Sequence, residues 1–299
     1  MRRAVSPNPG VGCVIQAADG RVFEGATEPP GGRHAEVVAL DAAGPAAAGA
    51  TVWVTLEPCA HTGRTGPCAD ALVAAGVARV VIALQDPDPQ VAGRGIAILR
   101  DAGIAVEVGT AADVVTQDLR AYLTHRRLGR PFVTLKLAMT LHGRTVPDHG
   151  QWITGPEARA DGHRLRAEHD AILVGANTVR IDDPLLTTRD APGPDPLRVV
   201  LGHAPPAAKV HPCIERTGML GDVLRDLAAT GVMSVLVEGG AKTANEFHAA
   251  HLVDEYVFYV ANADPVPAAG AVRDLWGIDV VEVDQIGHDV RVIATPRPR

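Results

Sequence analysis

Short apolar runs bounded by Gly, Pro and polar residues recur along the whole chain, and their spacing predicts two α/β halves. In the first half, VGCVIQ (11–16) and VFEGA (22–26) flank the turn residues Asp19-Gly20 and predict a hairpin. A helix over about 34–43 leads to the strand TVWVTL (51–56), and a helix over about 67–76 leads to RVVIAL (79–84). A further helix over about 94–102 precedes the short strand AVEVG (105–109). Strands separated by helices of about ten residues are the pattern of parallel βαβ units, so residues 1–125 are expected to form a layered α/β domain.

The segment 111–127 reads as helical and is stopped by Gly129 and Pro131 in THRRLGRP, which puts the boundary there. A second α/β domain is expected over 130–299, opening on the strand PFVTLKLAMT (131–140). A polar helix (156–169), AILVGA (171–176), LRVVLG (197–202), a helix near 220–230 and SVLVEGG (234–240) follow. A helix over about 242–250, EYVFYVA (255–261) and a C-terminal strand pair near 279–294 complete it. The stretch from Asp190 to Pro212, rich in Pro and Gly, reads as a surface connection. No internal repeat or low-complexity tract interrupts this order.

Length agrees with two domains at roughly 150 residues each. With 46% hydrophobic and 21% charged residues the chain is neither disordered nor collagen-like. A net charge of −7 argues against a broad nucleic-acid or anionic-membrane surface, and 3% aromatics are too few for stacking platforms. The longest apolar stretch, Ala71 to Leu84, is broken by Gly76 and Arg79, so no membrane span is expected. MRRAVSPNPG has basic residues without an apolar core behind them and does not read as a secretory signal. Four scattered cysteines (13, 59, 68 and 213) form no disulfide framework, which points to a reducing cytoplasm.

Two of those cysteines carry chemistry. His34-Ala35-Glu36 stands with Glu57-Pro58-Cys59 and Pro67-Cys68. One imidazole (His34) and two thiolates (Cys59, Cys68) make a three-ligand tetrahedral zinc site with its fourth position open, the arrangement of a catalytic zinc rather than a structural one. Residues two apart on a regular helix point about 200° from each other, so His34 and Glu36 converge only if His34 sits at an irregular helix start. The preceding Pro29-Pro30-Gly31-Gly32 predicts that irregularity. Pro67 suits the first turn of the next helix and puts Cys68 at a positive helix end, where a thiolate is favoured. Glu36 is then free to move a proton from water to a departing amine.

His-x-Glu followed by Pro-Cys and a second Cys resembles the zinc-dependent nucleobase and nucleoside deaminases. Cys59 and Cys68 are separated by eight residues instead of the usual two. That longer insert, with TLEPCAHTGRTGPC, SPNPGVGCVI and DPDPQVAGRGI (86–96), resembles the bifunctional pyrimidine deaminase/reductase family of riboflavin biosynthesis. The resemblance implies a cytidine-deaminase-like three-layer domain and one zinc per chain. It also implies a diaminopyrimidinone substrate with a ribosylamino 5′-phosphate. By matched position, Asn8, His61, Arg64, Asp86 and Asp88 line that pocket. Asn8 and the aspartates can pair with a ring edge rich in donors and acceptors, and Arg64 can hold a phosphate as a fork. The alternative for Asp86-Pro87-Asp88-Pro89 is a plain turn after a strand, the less favoured of the two readings.

The second half offers no metal ligands. GGAKT (239–243) lacks the glycine before the lysine of a phosphate loop, and Gly93-Arg94-Gly95 lacks the third glycine of a dinucleotide fingerprint. Glu238-Gly239-Gly240 ends a strand and opens a helix, either as a plain turn or as an anion site of backbone amides. VTLKLAMTLHGRT, QWITGPEAR, ILVGANTVRIDDPLLTTR and VEGGAKTANEFH resemble the reductase domain of the same family. That domain has a dihydrofolate-reductase-like α/β fold and uses NADPH to reduce the ribose to a ribityl chain. The match puts Ala138, Trp152, Thr178, Asp182, Gly239, Gly240, Ala241, Lys242 and Thr243 on the cofactor side. Lys136, Arg166, Leu186, Arg189 and Glu238 fall on the substrate side, two arginines for one phosphate.

The chain departs from the family pattern in places. His142 stands where Asp is usual, Gly150 replaces a small hydroxyl residue, and sequence is short after Leu201 and after Ala261. The family usually has a helix before SPNP; without it an apolar sheet face is expected to be exposed unless a neighbouring subunit covers it. Three readings follow. The first is a cytoplasmic, homo-oligomeric bifunctional enzyme that acts on a small phosphorylated pyrimidine, with no nucleic-acid or membrane partner. The second is a deaminase whose shortened second domain is inert, and the third a zinc-stabilised binding protein. A structural zinc would want a fourth protein ligand and no Glu36, which counts against the last.

Overall fold

The computed structural model describes residues 2–60, 66–89, 91–146, 152–189 and 191–298. The chain divides into two compact units, Met1–Gly129 and Arg130–Arg299.

The first unit is built on a five-stranded sheet of order β2-β1-β3-β4-β5. Its elements in chain order are β1 (Gly12–Gln16), β2 (Val22–Ala26), α1 (Ala35–Ala43), β3 (Thr51–Leu56) and α2 (Cys68–Ala74). They continue with β4 (Arg79–Leu84), α3 (Arg94–Asp101), β5 (Ala105–Val108), α4 (Ala112–Asp118) and α5 (Arg120–Leu128). The predicted hairpin pairs β1 with β2 antiparallel, and β3, β4 and β5 run parallel through helical crossovers.

Alternation along β4 sends neighbouring side chains to opposite faces. Ile82 joins Ala39, Leu72 and Leu99 of α1, α2 and α3 in one buried cluster, whereas Ala83 joins Val115, Leu119 and Tyr122 in another. The sheet is therefore covered on both sides. The segment 111–127, read as one helix, is two helices that meet at Leu119.

The second unit holds an eight-stranded sheet of order β12-β13-β11-β6-β10-β7-β8-β9. The elements are β6 (Phe132–Met139), α6 (Pro156–Glu168), β7 (Ala171–Gly175), α7 (Ala176–Asp182), β8 (Leu197–Leu201), β9 (Ile214–Arg216) and α8 (Leu220–Ala229). Then come β10 (Ser234–Glu238), α9 (Ala241–Ala249), β11 (Glu255–Val260), α10 (Pro265–Trp276), β12 (Asp279–Ile286) and β13 (Asp289–Thr295). Strands β11, β6, β10, β7, β8 and β9 are mutually parallel, and β13 and β12 close one edge antiparallel.

Alternation again feeds both faces. Val235 and Val237 of β10 pack with α8, α9 and α10, while Leu236 packs with Leu165 of α6 and Val179 of α7. Helices α7 and α10 and the short strand β9 were not expected. In α10, PVPAAGAVRDLW looks broken, yet Pro265 opens the helix, where its missing N–H costs nothing. Burial of Ala268 and Val272 then holds it on the sheet. The expected strand at 197–202 is β8, which lies inside the stretch read as a surface connection, with Val199 and Val200 fully buried. Among the described residues no helix is long and apolar enough to cross a membrane.

Candidate active sites

The first site forms at the ends of two helices. His34 caps α1 in extended backbone (φ −74°, ψ 158°), the irregular start its sequence called for. The loop before it is stapled by Glu28, which accepts the Arg33 amide at 2.8 Å and the guanidinium at 2.6 Å. Cys68 is the first residue of α2, with Pro67 just outside as the cap rather than within the first turn. Its amide donates to Cys59 Sγ at 3.3 Å. His34 Nδ1 lies 3.3 Å from Cys68 Sγ and 3.6 Å from Cys59 Sγ. The three ligand atoms all lie within 4.8 Å of one another.

The thiol pair behaves as a unit holding one proton. A hydrogen bond from Cys68 lowers the Cys59 thiol to about 4, whereas that shared proton, burial and the Glu36 charge push Cys68 up. A thiolate, a second thiol whose proton a divalent cation can displace, and an imidazole nitrogen between them fit a zinc ion. Glu36, in the first turn of α1, is 3% exposed. Burial pushes its carboxyl up to about 7, and it stands outside the His34, Cys59 and Cys68 ligand set.

The remaining predicted residues of this site divide. Asn8 is half-buried, and its backbone amide donates to the Val5 carbonyl at 2.8 Å. Asp86 is 6% exposed at the end of β4, and Asp88 lies two residues beyond. His61 and Arg64 lie outside the described residues.

One residue was overlooked. Glu57, 4% exposed, accepts the backbone amides of Asp86 (3.2 Å), Gly93 (2.9 Å), Gly95 (3.0 Å) and Ile96 (3.2 Å). It fastens the 86–96 loop to the segment that carries Cys59. Gly95 is required there, since a Cβ would run into the Pro58 carbonyl. A glutamate at a strand end carries no sequence signal for such a role; only its proximity to the DPDPQVAGRGI loop reveals it.

In the second unit, the chain ends of parallel strands converge. The register sets Lys136 of β6 opposite Glu238 of β10. Arg166 of α6 donates Nε to Glu238 Oε1 at 2.7 Å and Nη2 to Oε2 at 2.8 Å, and Lys136 Nζ stands 3.8 Å from Oε2. Burial alone would raise the Glu238 carboxyl, but Arg166 and Lys136 hold it at about 2. Arg166 also gives Nη1 to the Thr187 carbonyl at 3.1 Å, so its fork is committed within the protein. Arg189 is exposed, with Nη2 2.9 Å from His163 Nε2. Leu186 is 2% exposed and packs in the core with Val174 and Leu236.

The residues matched to the cofactor side form a second group. Gly240 caps α9 and donates its amide to Thr178 Oγ1 at 3.3 Å. Gly239 has φ +145°, and a Cβ on it would lie 3.3 Å from Thr178 Oγ1. Ala241 and Lys242 open α9 and are exposed, and Thr243 is buried behind them. The helix start so formed presents amides suited to an anion. Ala138 lies in β6 against the core, and Asp182 is exposed at the end of α7. Trp152 is 54% exposed beneath the Arg159 guanidinium, 5.2 Å from its ring centroid. His142 is exposed, whereas Gly150 lies outside the described residues.

Comparison with known proteins bears on both units. The family model described as "Cytidine and deoxycytidylate deaminase zinc-binding region" matches residues 1–84, and the "RibD C-terminal domain" model matches residues 131–263. The riboflavin biosynthesis protein RibD of Mycobacterium tuberculosis is 44% identical over 300 residues, 95% of this chain and 86% of its own length. The structure of Acinetobacter baumannii RibD superposes with a TM-score of 0.87 at 37% identity, covering 99% of this chain and 94% of that one. A diaminohydroxyphosphoribosylaminopyrimidine deaminase/5-amino-6-(5-phosphoribosylamino)uracil reductase of Thermotoga maritima superposes with a TM-score of 0.85 at 30% identity, over 98% of this chain and 94% of its own.

Proposed function

The chain belongs to the RibD family of riboflavin-biosynthesis proteins, and on that premise we propose that it catalyses two successive steps. The first unit hydrolytically deaminates a diaminopyrimidinone bearing a ribosylamino 5′-phosphate. The second reduces the ribose of the product to a ribityl chain with NADPH. The observation that carries the reading is the closure of His34, Cys59 and Cys68 into one ligand set, with Glu36 buried on the same helix start.

Deamination replaces a ring amino group by a carbonyl and releases ammonia. His34, Cys59 and Cys68 would hold the zinc, which when bound supplies the Lewis acidity that makes water nucleophilic near neutral pH. Glu36 takes a proton from the attacking water and returns it to the departing amine. Asp86, Asp88 and Asn8 accept and donate along the pyrimidine edge, with His61 and Arg64 completing the pocket.

In the second unit NADPH supplies hydride when bound. Trp152, Thr178, Asp182 and the Gly239–Thr243 turn hold the cofactor, alongside Ala138. Lys136 and Glu238 face the sugar, Arg189 takes the phosphate, and Arg166 fixes Glu238. The same reading makes the protein a cytoplasmic homo-oligomer with neither nucleic acid nor membrane as partner, in keeping with its net charge of −7.

Incubating purified protein with the diaminopyrimidinone ribosylamino phosphate tests the reading by product mass. Deaminated compound alone is expected without NADPH, and the reduced compound with it. A Cys59→Ser variant is expected to lose most of its zinc on metal analysis and all measurable deamination. Stoichiometric zinc with normal turnover would instead show that Cys59 is not a ligand.

Gly239→Ala probes the cofactor turn. At φ +145° a side chain is strained by about 1–3 kcal/mol, and the new methyl presses on Thr178 Oγ1. NADPH affinity measured by calorimetry is expected to fall about tenfold or more, with zinc and deamination unchanged. Unaltered affinity would remove this turn from the cofactor site.

A further inference from the structure

Helix α5 looks from its sequence like no more than the segment that closes the first domain. Tyr122 and Arg126 stand four residues apart on it and so share a face. The Arg126 guanidinium lies over the Tyr122 ring, 5.3 Å from its centroid.

That face meets the turn at the end of β4. The Tyr122 hydroxyl donates to Asp86, 3.1 Å from Oδ1 and 3.0 Å from Oδ2, and Arg126 pairs with Asp88 Oδ2 at 3.6 Å. Tyr122 is itself 7% exposed. The backbone of the same loop is fastened by Glu57 through the four amides described above. Backbone and side chains of the loop are thus held by separate elements.

We propose that Tyr122 is a positioning residue of the deamination site, fixing the Asp86 carboxylate in the one orientation in which it accepts from the donor-rich edge of the pyrimidine. The proposal rests on the reading that Asp86 contacts the substrate. The Tyr122 hydroxyl is shared between the two oxygens and the Asp88 amide (2.8 Å) adds a second donor to Oδ1, so among the described residues Oδ2 is the less committed oxygen and keeps a lone pair for a ligand donor. Burial works against the ionised form of Asp86, and the Asp88 amide and Tyr122 hydroxyl oppose that effect. Without the hydroxyl, the carboxylate is both less restrained and harder to keep charged.

The test compares Tyr122→Phe, Asp86→Asn and the double variant in the full-length, zinc-loaded enzyme. Tyr122→Phe is expected to raise KM for the diaminopyrimidinone ribosylamino phosphate about tenfold, as loss of a hydrogen bond to a charged group predicts, with kcat within about threefold. Asp86→Asn is expected to raise KM at least as much, and the double variant to be no worse than Asp86→Asn. An unchanged KM for Tyr122→Phe overturns the proposal. So does a tyrosine effect that multiplies in full onto Asp86→Asn, since it would then act elsewhere. If Asp86→Asn leaves KM unaltered, the reading of Asp86 itself falls, and the proposal with it. Should Tyr122→Phe fold less completely, KM still decides, because it does not depend on the active fraction.

Discussion

Replacing Glu36 by Gln is expected to leave zinc in place and to lower deamination by about 10²–10⁴-fold, the usual contribution of a positioned acid–base group. Gln matches the size and hydrogen-bonding reach of the carboxylate but cannot carry a proton. Glu36 is 3% exposed in the first turn of α1, so a polar group of equal size is needed to avoid a cavity beside His34. The three ligand atoms belong to His34, Cys59 and Cys68, so the substitution removes none of them. Metal analysis and ammonia release, measured on the same preparation, check the two halves of this expectation. A loss below tenfold at full zinc would assign the proton transfer to another group such as His61.

In the second unit, Lys136→Ala is expected to cut reduction by about 10²-fold while deamination and zinc content stay at their unmutated levels. The deaminated, unreduced intermediate should then accumulate and be visible by mass. Lys136 Nζ stands 3.8 Å from Glu238 and 5.6 Å from the centroid of the Tyr259 ring, with its side chain 21% exposed. Removing it leaves Glu238 still bonded at both oxygens by Arg166, so the buried carboxylate is not orphaned and the unit should stay folded. Asp182→Ala is expected to give the same accumulation through the cofactor side. Unmutated protein at saturating NADPH is the control. If it too stops at the deaminated compound and binds no cofactor by calorimetry, the second unit does not reduce and the deaminase-only reading stands.

The zinc ligands were legible because their chemistry is local and rare. A His, two Cys and an unused Glu leave few alternatives once a helix start follows a Pro-Pro-Gly-Gly turn. Most strands were legible for a related reason. Runs such as RVVIAL and SVLVE are buried on both faces of a sheet, and a continuous apolar run has few other uses. Helix α10 was hidden because its prolines and glycine read as breakers, and β9 because three residues give no period to detect.

The roles of Glu57, Tyr122 and Arg166 lay beyond the sequence for a different reason. Tyr122 and Asp86 are 36 residues apart, and Arg166 and Glu238 are 72 apart. Nothing in either neighbourhood names the other. Sequence by itself determined the two α/β layers and the zinc-binding triad, which follow from apolar runs and from residue type within short motifs, and it singled out Glu36 as the candidate proton carrier. Tertiary structure alone decided that Glu57 would bind four amides and that Arg166 would be spent on a carboxylate rather than left for a phosphate. Burial strips water from such groups, and a desolvated charge takes whichever donors or acceptors the strand register and helix packing bring within about 3 Å.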